Sequence, residues 1–345
     1  MHDAIVVGSG PAGAAAAIGL ARRDYDVVLL DKHTFPRAKV CGDALLPGTL
    51  GALARAGVDI EKDFDLSALY PIRRVQIATS CGTVHTTELP DGPPGSGCFG
   101  CARERFDLVL HELAVRAGAR FVRGTATELI VHGDFGDGVV LDQDGIEQEV
   151  PSRLVLFADG SASARGKPVL SADHRPKRRL LGIRGYLRGF DVHPNTAEFY
   201  WNPADLRGHA WVVPIREDCA NIGCMLGSAS DESDVAALQA HLDKFLALPQ
   251  IQTRIPRDGT LENVGIGAVR VNGPGLGERA VAGALMLGDA AGFAAPVSGQ
   301  GIRNALLSGA LAAEVAGEAL ETNDFTADTL AKYTALCLKE FALGV

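Results

Sequence analysis

The sequence is short of basic charge: 33 Lys and Arg stand against 42 Asp and Glu, a net charge of −9 over 345 residues. That balance, spread along the chain, argues against nucleic acid as a partner, because phosphate backbones are held by clustered Lys and Arg. No uninterrupted run of about 18 apolar residues occurs, so no membrane span is expected, while peripheral membrane contact stays open. The apolar, alanine-rich N-terminus lacks the basic leader of a secretion signal and is broken by Gly8, Gly10, Pro11 and Gly13. Seven cysteines, scattered from Cys41 to Cys337 without an export signal, point to reduced thiols in a cytoplasm. Cys98-x-x-Cys101 has neither a second pair nor histidines at ligand spacing, so no metal is expected. The absence of a Gly-x-Ser-x-Gly elbow and of a Walker loop sets hydrolase and phosphotransfer chemistry aside. What remains is 47% hydrophobic and 22% charged, the composition of a soluble globular chain, and its length suits two domains.

The rest of the chain is organised around residues 4–31. An apolar run at 4–7 reads as a strand, Gly8-Ser9-Gly10-Pro11-Ala12-Gly13 as a sharp turn, residues 14–23 as a helix, and residues 27–30 as a second strand. The chemistry of dinucleotide binding asks for each part. Gly8 allows the turn, Gly10 lets backbone approach a pyrophosphate, and Gly13 permits close helix–strand packing. The helix start offers free N–H groups and a partial positive charge to the phosphates. Asp31 follows Gly13 by 18 residues and ends the second strand, placed to accept hydrogen bonds from a ribose 2′-hydroxyl. The same glycine spacing recurs at Gly95-Ser96-Gly97-Cys98-Phe99-Gly100, but there a Pro- and Gly-rich loop precedes it instead of a strand, so it is discounted.

Further along, Phe35-Pro36-Arg37-Ala38-Lys39-Val40-Cys41-Gly42-Asp43 is either a surface loop or a segment over the ligand, with Arg37 and Lys39 near its phosphates and Cys41-Gly42-Asp43 near its reactive end. Arg103 precedes a helix with apolar positions Phe106, Leu108, Val109, Leu113 and Ala114, and Asp107 is expected to face that helix's positive N-terminus. Arg103 itself is either solvated or a phosphate or ribose contact. The strand 154–158 ends in Asp159-Gly160, and the strand 284–287 ends in Gly288-Asp289, each putting a carboxylate at a strand's carboxyl end, where open α/β sheets bind ligands. Between them, residues 167–271 carry few helix signals and read as an antiparallel sheet, with one amphipathic helix at 233–248. Alternation along Gly208-His209-Ala210-Trp211-Val212-Val213-Pro214 puts His209, Trp211 and Val213 on one face, either as core or as pocket wall.

Three separated fingerprints stand in order: Gly8-x-Gly10-x-x-Gly13; Asp159-Gly160 with Ser163 and Arg165; and Gly288-Asp289 with Pro296 and Gly299-x-Gly301. Together they resemble the FAD-binding domain of p-hydroxybenzoate-hydroxylase-like flavoproteins. Within that group the chain is most similar to the geranylgeranyl reductase family, through the segment 35–43, Arg103-x-x-Phe106-Asp107, and Gly208-x-Ala210-Trp211-x-x-Pro214 followed by Ala220-Asn221-x-Gly223. It departs where that family carries aromatics, at His209 and Val213, and where it carries a second glycine, at Met225.

The resemblance implies an α/β fold, α+β taken whole: a discontinuous Rossmann-like FAD-binding domain (1–70, 100–166 and 275–345) with an inserted antiparallel β-sheet substrate domain (71–99 and 167–274). FAD contacts are implied for Gly8, Gly10, Ala12, Gly13, Asp31, Lys32, Arg37, Cys41, Gly42, Arg103, Ala126, Asp159, Gly160, Gly288, Asp289, Pro296, Gly299, Gly301 and Ile302. Cys41, Trp211 and His209 are the implied catalytic pocket residues. The implied activity is an FAD-dependent oxidoreductase in which NADPH or NADH visits transiently and hydride passes to a C=C bond of a prenyl-type or other hydrophobic substrate. The alternative is a monooxygenase that hydroxylates or epoxidises a hydrophobic or aromatic metabolite. Oligomeric state is left open.

Overall fold

The structure is a computed structural model that describes residues 1–79, 82–89, 97–162, 178–201, 208–228, 233–271 and 277–342. Ser163 and Arg165 of the second fingerprint lie outside these residues.

The apolar runs that open and close the chain assemble one sheet. His2–Val7 lies parallel between Val27–Asp31 and Ile146–Phe157, and Ala284–Met286 continues the parallel order beyond Ile146–Phe157. Arg120–Arg123 pairs parallel with Val27–Asp31 at the other side. The register aligns Val7 with Leu30 and with Phe157, and Phe157 with Met286. The carboxyl ends of four strands therefore share one edge, so Gly8, Asp31, Asp159 and Asp289 emerge together. The long strand Ile146–Phe157 leaves this sheet at its N-terminal half to form an antiparallel meander with Phe135–Gln143 and Thr125–His132.

The helix Pro11–Ala21 is nearly all alanine, glycine and isoleucine because both of its sides are buried. It sits between the sheet and the long helix Ile302–Thr322, and the contact is so close that a Cβ on Gly309 would run into the Ala12 carbonyl. Small residues let the two helices reach each other.

The second sheet has seven strands in the order Leu261–Val271, Arg178–Arg188, Cys219–Ser228, His209–Arg216, Thr196–Trp201, Arg74–Thr79 and Val84–Glu88. It is antiparallel as expected, with one difference: Thr196–Trp201 runs parallel to Arg74–Thr79, a pairing made across more than 100 residues of chain. Alternation divides the sheet cleanly. Ile183, Ile222, Cys224 and Leu226 face back onto the helix Ser233–Leu246, burying its Leu238, Leu242 and Phe245. Tyr186, Asn221, Gly223 and Met225 face the other way, toward the first sheet. A three-stranded sheet, Ala44–Leu45, Cys98–Gly100 and Tyr70–Ile72, joins the two bodies and spans the boundaries expected at 70/71 and 99/100. Among the described residues, no helix is long and apolar enough to cross a membrane.

Candidate active site

A cleft of about 320 Å³ opens along the shared strand edge and runs to the front of the second sheet. At its outer end Asp31 lines the wall, its Oδ2 accepting from the Ser9 N–H at 2.9 Å and its Oδ1 from the His33 N–H at 2.9 Å. Gly8 has φ +102°, where a side chain is strained, and its Cα lies against the Ala158 carbonyl. Gly13 packs on the Gly8 carbonyl with no room for a Cβ. Gly10, by contrast, faces open cleft: a Cβ there would meet only Arg37 Nη2, at 3.5 Å. The helix Pro11–Ala21 has no side-chain cap at Gly10, so its first N–H groups are free for a ligand.

A second helix aims at the same cleft. Ile302–Thr322 starts at Gly301, again without a side-chain cap, and a Cβ at Gly301 would lie 2.8 Å from Asp289 Oδ1. Burial raises the Asp289 carboxyl, while the Lys39 and Arg103 cations pull it down. Lys39 lines the same cleft, close enough to Asp289 for the two charges to influence each other. Arg103 is nearly buried and gripped by both oxygens of Asp107, at 2.8 Å and 2.9 Å, and Arg37 Nη1 adds a 3.2 Å contact to the same carboxylate. Asp107 thus orients two arginines from the second turn of its helix, and Glu104 occupies the first turn in its place. The paired anion strengthens the Arg103 cation.

The inner end is walled by the second sheet. Trp211 lies flat because Gly223, directly opposite on the next strand, leaves space for its ring. The indole N–H donates to Asn221 Oδ1 at 2.8 Å. Asn221 Nδ2 donates in turn to the Cys41 carbonyl and to Asp43 Oδ2, both at 2.8 Å, and the Tyr186 hydroxyl reaches the same oxygen at 2.6 Å. Cys41 lines the cleft with its thiol pushed up by burial, so it carries its proton. Arg184 donates to the Lys39 carbonyl at 3.2 Å and covers the Tyr186 ring at 4.4 Å.

Of the residues singled out by sequence, the cleft brings together Gly8, Gly10, Ala12, Asp31, Lys32, Arg37, Cys41, Gly42, Arg103, Ala126, Asp159, Trp211, Asp289, Gly299, Gly301 and Ile302. Gly13, Gly160, Gly288, Pro296 and His209 do not line it. Gly13 serves packing, Gly160 and Gly288 take left-handed turns beside it, and Pro296 is exposed. His209 packs at a tilt behind Trp211, between that ring at 5.9 Å and Trp201 at 4.9 Å, and burial lowers its pKa to about 4. Tyr186, Arg184 and the wall glycines Gly182 and Gly267 were not found from sequence. The signal that could have found Tyr186 and Arg184 is their alternation two residues apart in one strand.

Comparison with known proteins follows the same lines. A profile of the FAD binding domain family matches residues 1–241. Digeranylgeranylglycerophospholipid reductase 1 of Methanothermobacter thermautotrophicus is 30% identical over 344 residues, 98% of this chain and 82% of that protein. Menaquinone reductase of Mycolicibacterium smegmatis is 30% identical over 356 residues, 99% of this chain and 81% of that protein. The crystal structure of a geranylgeranyl bacteriochlorophyll reductase-like protein from Thermoplasma acidophilum superposes with a TM-score of 0.86 at 25% identity, covering 98% of this chain and 83% of that one. The cleft fits the group this family binds: two uncapped helix starts, a carboxylate at Asp31 on its wall, and a Gly10 surface open to the cavity.

Proposed function

Because this chain belongs to the geranylgeranyl reductase family of FAD-dependent oxidoreductases, we propose that it reduces C=C bonds of a prenyl-type or other hydrophobic substrate at the expense of NADPH or NADH. The observation that carries the reading is the continuity of the cleft, from the polar Gly10–Asp31 end to an inner wall of Trp211, Met225, Gly182 and Val269. A polar cofactor at one end and an apolar chain at the other meet near Cys41.

FAD, when bound, supplies a two-electron carrier that takes hydride from a nicotinamide and passes it to carbon. The protein's share is placement. Gly10 and the start of the helix Pro11–Ala21 take the pyrophosphate, Asp31 the ribose, and Arg103, held rigid by Asp107, the flank of the cofactor. Asp289 and the Gly299–Gly301 turn hold its other end. The apolar wall orders the unsaturated chain and keeps water from it. Cys41, a protonated thiol on the cleft wall, would supply the proton that accompanies hydride to the double bond. The seven-stranded sheet, drawn from the described parts of the expected substrate domain (71–99 and 167–274), is the substrate wall in this reading.

The test is a product mass. FAD-loaded protein is given NADPH, labelled oxygen and geranylgeraniol or a geranylgeranylated lipid. A gain of two hydrogens that persists without oxygen is expected; a gain of one labelled oxygen atom, lost anaerobically, replaces this function with a monooxygenase.

A further inference from the structure

The segment 36–43 crosses the cleft as a strap, and most of its inner length is docked on the front of the second sheet. Arg184 holds the Lys39 carbonyl. Val40 rests in the space left by Gly265 and Gly267. Asn221 holds the Cys41 carbonyl, and Gly42 lies against the Trp211 indole, where a Cβ would stand 3.3 Å from Nε1. Asp43 closes the row. It is wholly buried and adopts φ +59°, a left-handed backbone that turns its carboxylate back onto the sheet.

Its partners come from both bodies. Tyr186 and Asn221 stand opposite each other in adjacent antiparallel strands, so their side chains reach the same point, Asp43 Oδ2. From the first body, the Arg103 N–H points to Asp43 Oδ1 at 3.3 Å and the Cys101 N–H donates to the Asp43 carbonyl at 2.8 Å. The Asp43 N–H points back at Cys41 Sγ, 3.4 Å away.

The Asn221 amide makes the arrangement one-directional. Two acceptors, Asp43 Oδ2 and the Cys41 carbonyl, demand its Nδ2, which leaves Oδ1 for the Trp211 N–H. Removing the Asp43 carboxylate leaves the half-buried Tyr186 hydroxyl and one N–H of the Asn221 amide without an acceptor. Such groups rearrange to find partners, and the amide is then held only by the Cys41 carbonyl and the Trp211 N–H.

We propose that Asp43 is a positioning residue: its carboxylate locks the Asn221 amide and the Tyr186 hydroxyl, and through them fixes the Cys41 thiol and the Trp211 indole on the inner wall of the cleft. Asp43 is buried and does not line the cleft. The role in turnover rests on the function proposed above; the placement of Cys41 does not.

The test therefore reads Cys41 directly. FAD-loaded wild type, Asp43→Gly, Asp43→Asn and Tyr186→Phe are exposed to N-ethylmaleimide, and alkylation is followed at each cysteine by peptide mass. Glycine tolerates the left-handed backbone, so Asp43→Gly removes the carboxylate without strain. Cys98, Cys101, Cys219, Cys224 and Cys337 are buried, and their protection reports that the fold persists. The expected result is an increase in Cys41 alkylation of about tenfold or more in Asp43→Gly, with the five buried thiols protected, and smaller increases in Asp43→Asn and Tyr186→Phe. A Cys41 rate within about twofold of wild type, with the others protected, overturns the proposal. If Asp43→Gly exposes all the cysteines, Tyr186→Phe and Asp43→Asn decide instead, and an unchanged Cys41 rate in both overturns the proposal equally. In the same preparations turnover is expected to fall while the FAD content stays level. Should the wild type not reduce a prenyl substrate, the function fails and the alkylation result still decides the role of Asp43.

Discussion

The two ends of the cleft are built in different materials. The outer end is made of backbone: Gly8, Gly10, Gly13 and the start of the helix Pro11–Ala21, all set by a few residues close together in the chain. The inner end is made of side chains, brought together by strand register from residues as far apart as Cys41 and Asn221. A backbone site fails when a side chain is added, whereas a side-chain site fails when one is taken away. The contrast teaches where each kind of damage will register.

The largest effect is expected at Gly13. Its Cβ position is already occupied by the Gly8 carbonyl, so Gly13→Val forces the first strand and helix apart at a cost of about 3 kcal/mol or more. Protein purified from this variant should lack the visible absorbance of oxidised flavin. Normal flavin content would remove the packing role assigned to Gly13.

Next comes a pair on the second sheet. Glu198, 1% exposed, is held by Arg254 at 2.8 Å and 3.0 Å and by the Tyr200 hydroxyl at 2.6 Å. Glu198→Gln leaves a buried guanidinium without its anion and should cost about 3–5 kcal/mol in urea denaturation. FAD affinity of the surviving folded protein should stay unchanged, since the pair lies away from the cleft. Loss of affinity would mean that the two ends are not separable in this way.

A smaller, pH-dependent effect belongs to His209. Burial holds it at about 4, below the 6.5 of a free histidine. The unfolded chain therefore takes up a proton that the folded chain refuses. This contribution to stability is complete above pH 6.5 and is lost as pH falls toward 4, by up to about 3 kcal/mol. His209→Phe should flatten the difference between urea midpoints at neutral pH and at about pH 5. An unaltered slope would show that His209 accepts its proton within the fold.

The smallest change in stability is expected at Gly10, whose Cβ direction is open. Gly10→Ala should fold within about 1 kcal/mol of wild type and yet bind FAD roughly tenfold more weakly, because the methyl group takes up space needed by the pyrophosphate. Fluorescence titration with FAD measures it, and unchanged affinity would place the pyrophosphate elsewhere.

These differences explain what was legible in the sequence. Glycine spacing, the alternation of strands and Asp31 at a strand end are local signals, and each reports a backbone geometry that few other residues allow. The first sheet, the cleft edge and the facing of Trp211 followed from them. Asp107 was misplaced because a carboxylate near a helix start suits the dipole equally well, and only the folded chain shows Arg103 and Arg37 competing for it. His209 shares the Trp211 face, but alternation cannot tell a ring that lines a cavity from one packed behind it. Tyr186 and Arg184 acquire meaning only once their strand is paired with the one bearing Asn221 and Gly223. The parallel pairing of Thr196–Trp201 with Arg74–Thr79 likewise joins segments with no local mark of each other.

The strap over the cleft also has a history in time. Residues 39, 41 and 43 leave the ribosome early, yet their side-chain partners Arg184, Asn221 and Tyr186 are synthesised 145, 180 and 143 positions later. Contacts of such long separation close slowly, because the intervening chain must first be ordered. The nucleotide end of the cavity has its glycine turn from the first residues made, but its inner wall is completed only when the last strands of the second sheet have paired. The cavity that would hold the flavin is therefore complete only after most of the chain has been made and both of its sheets have met.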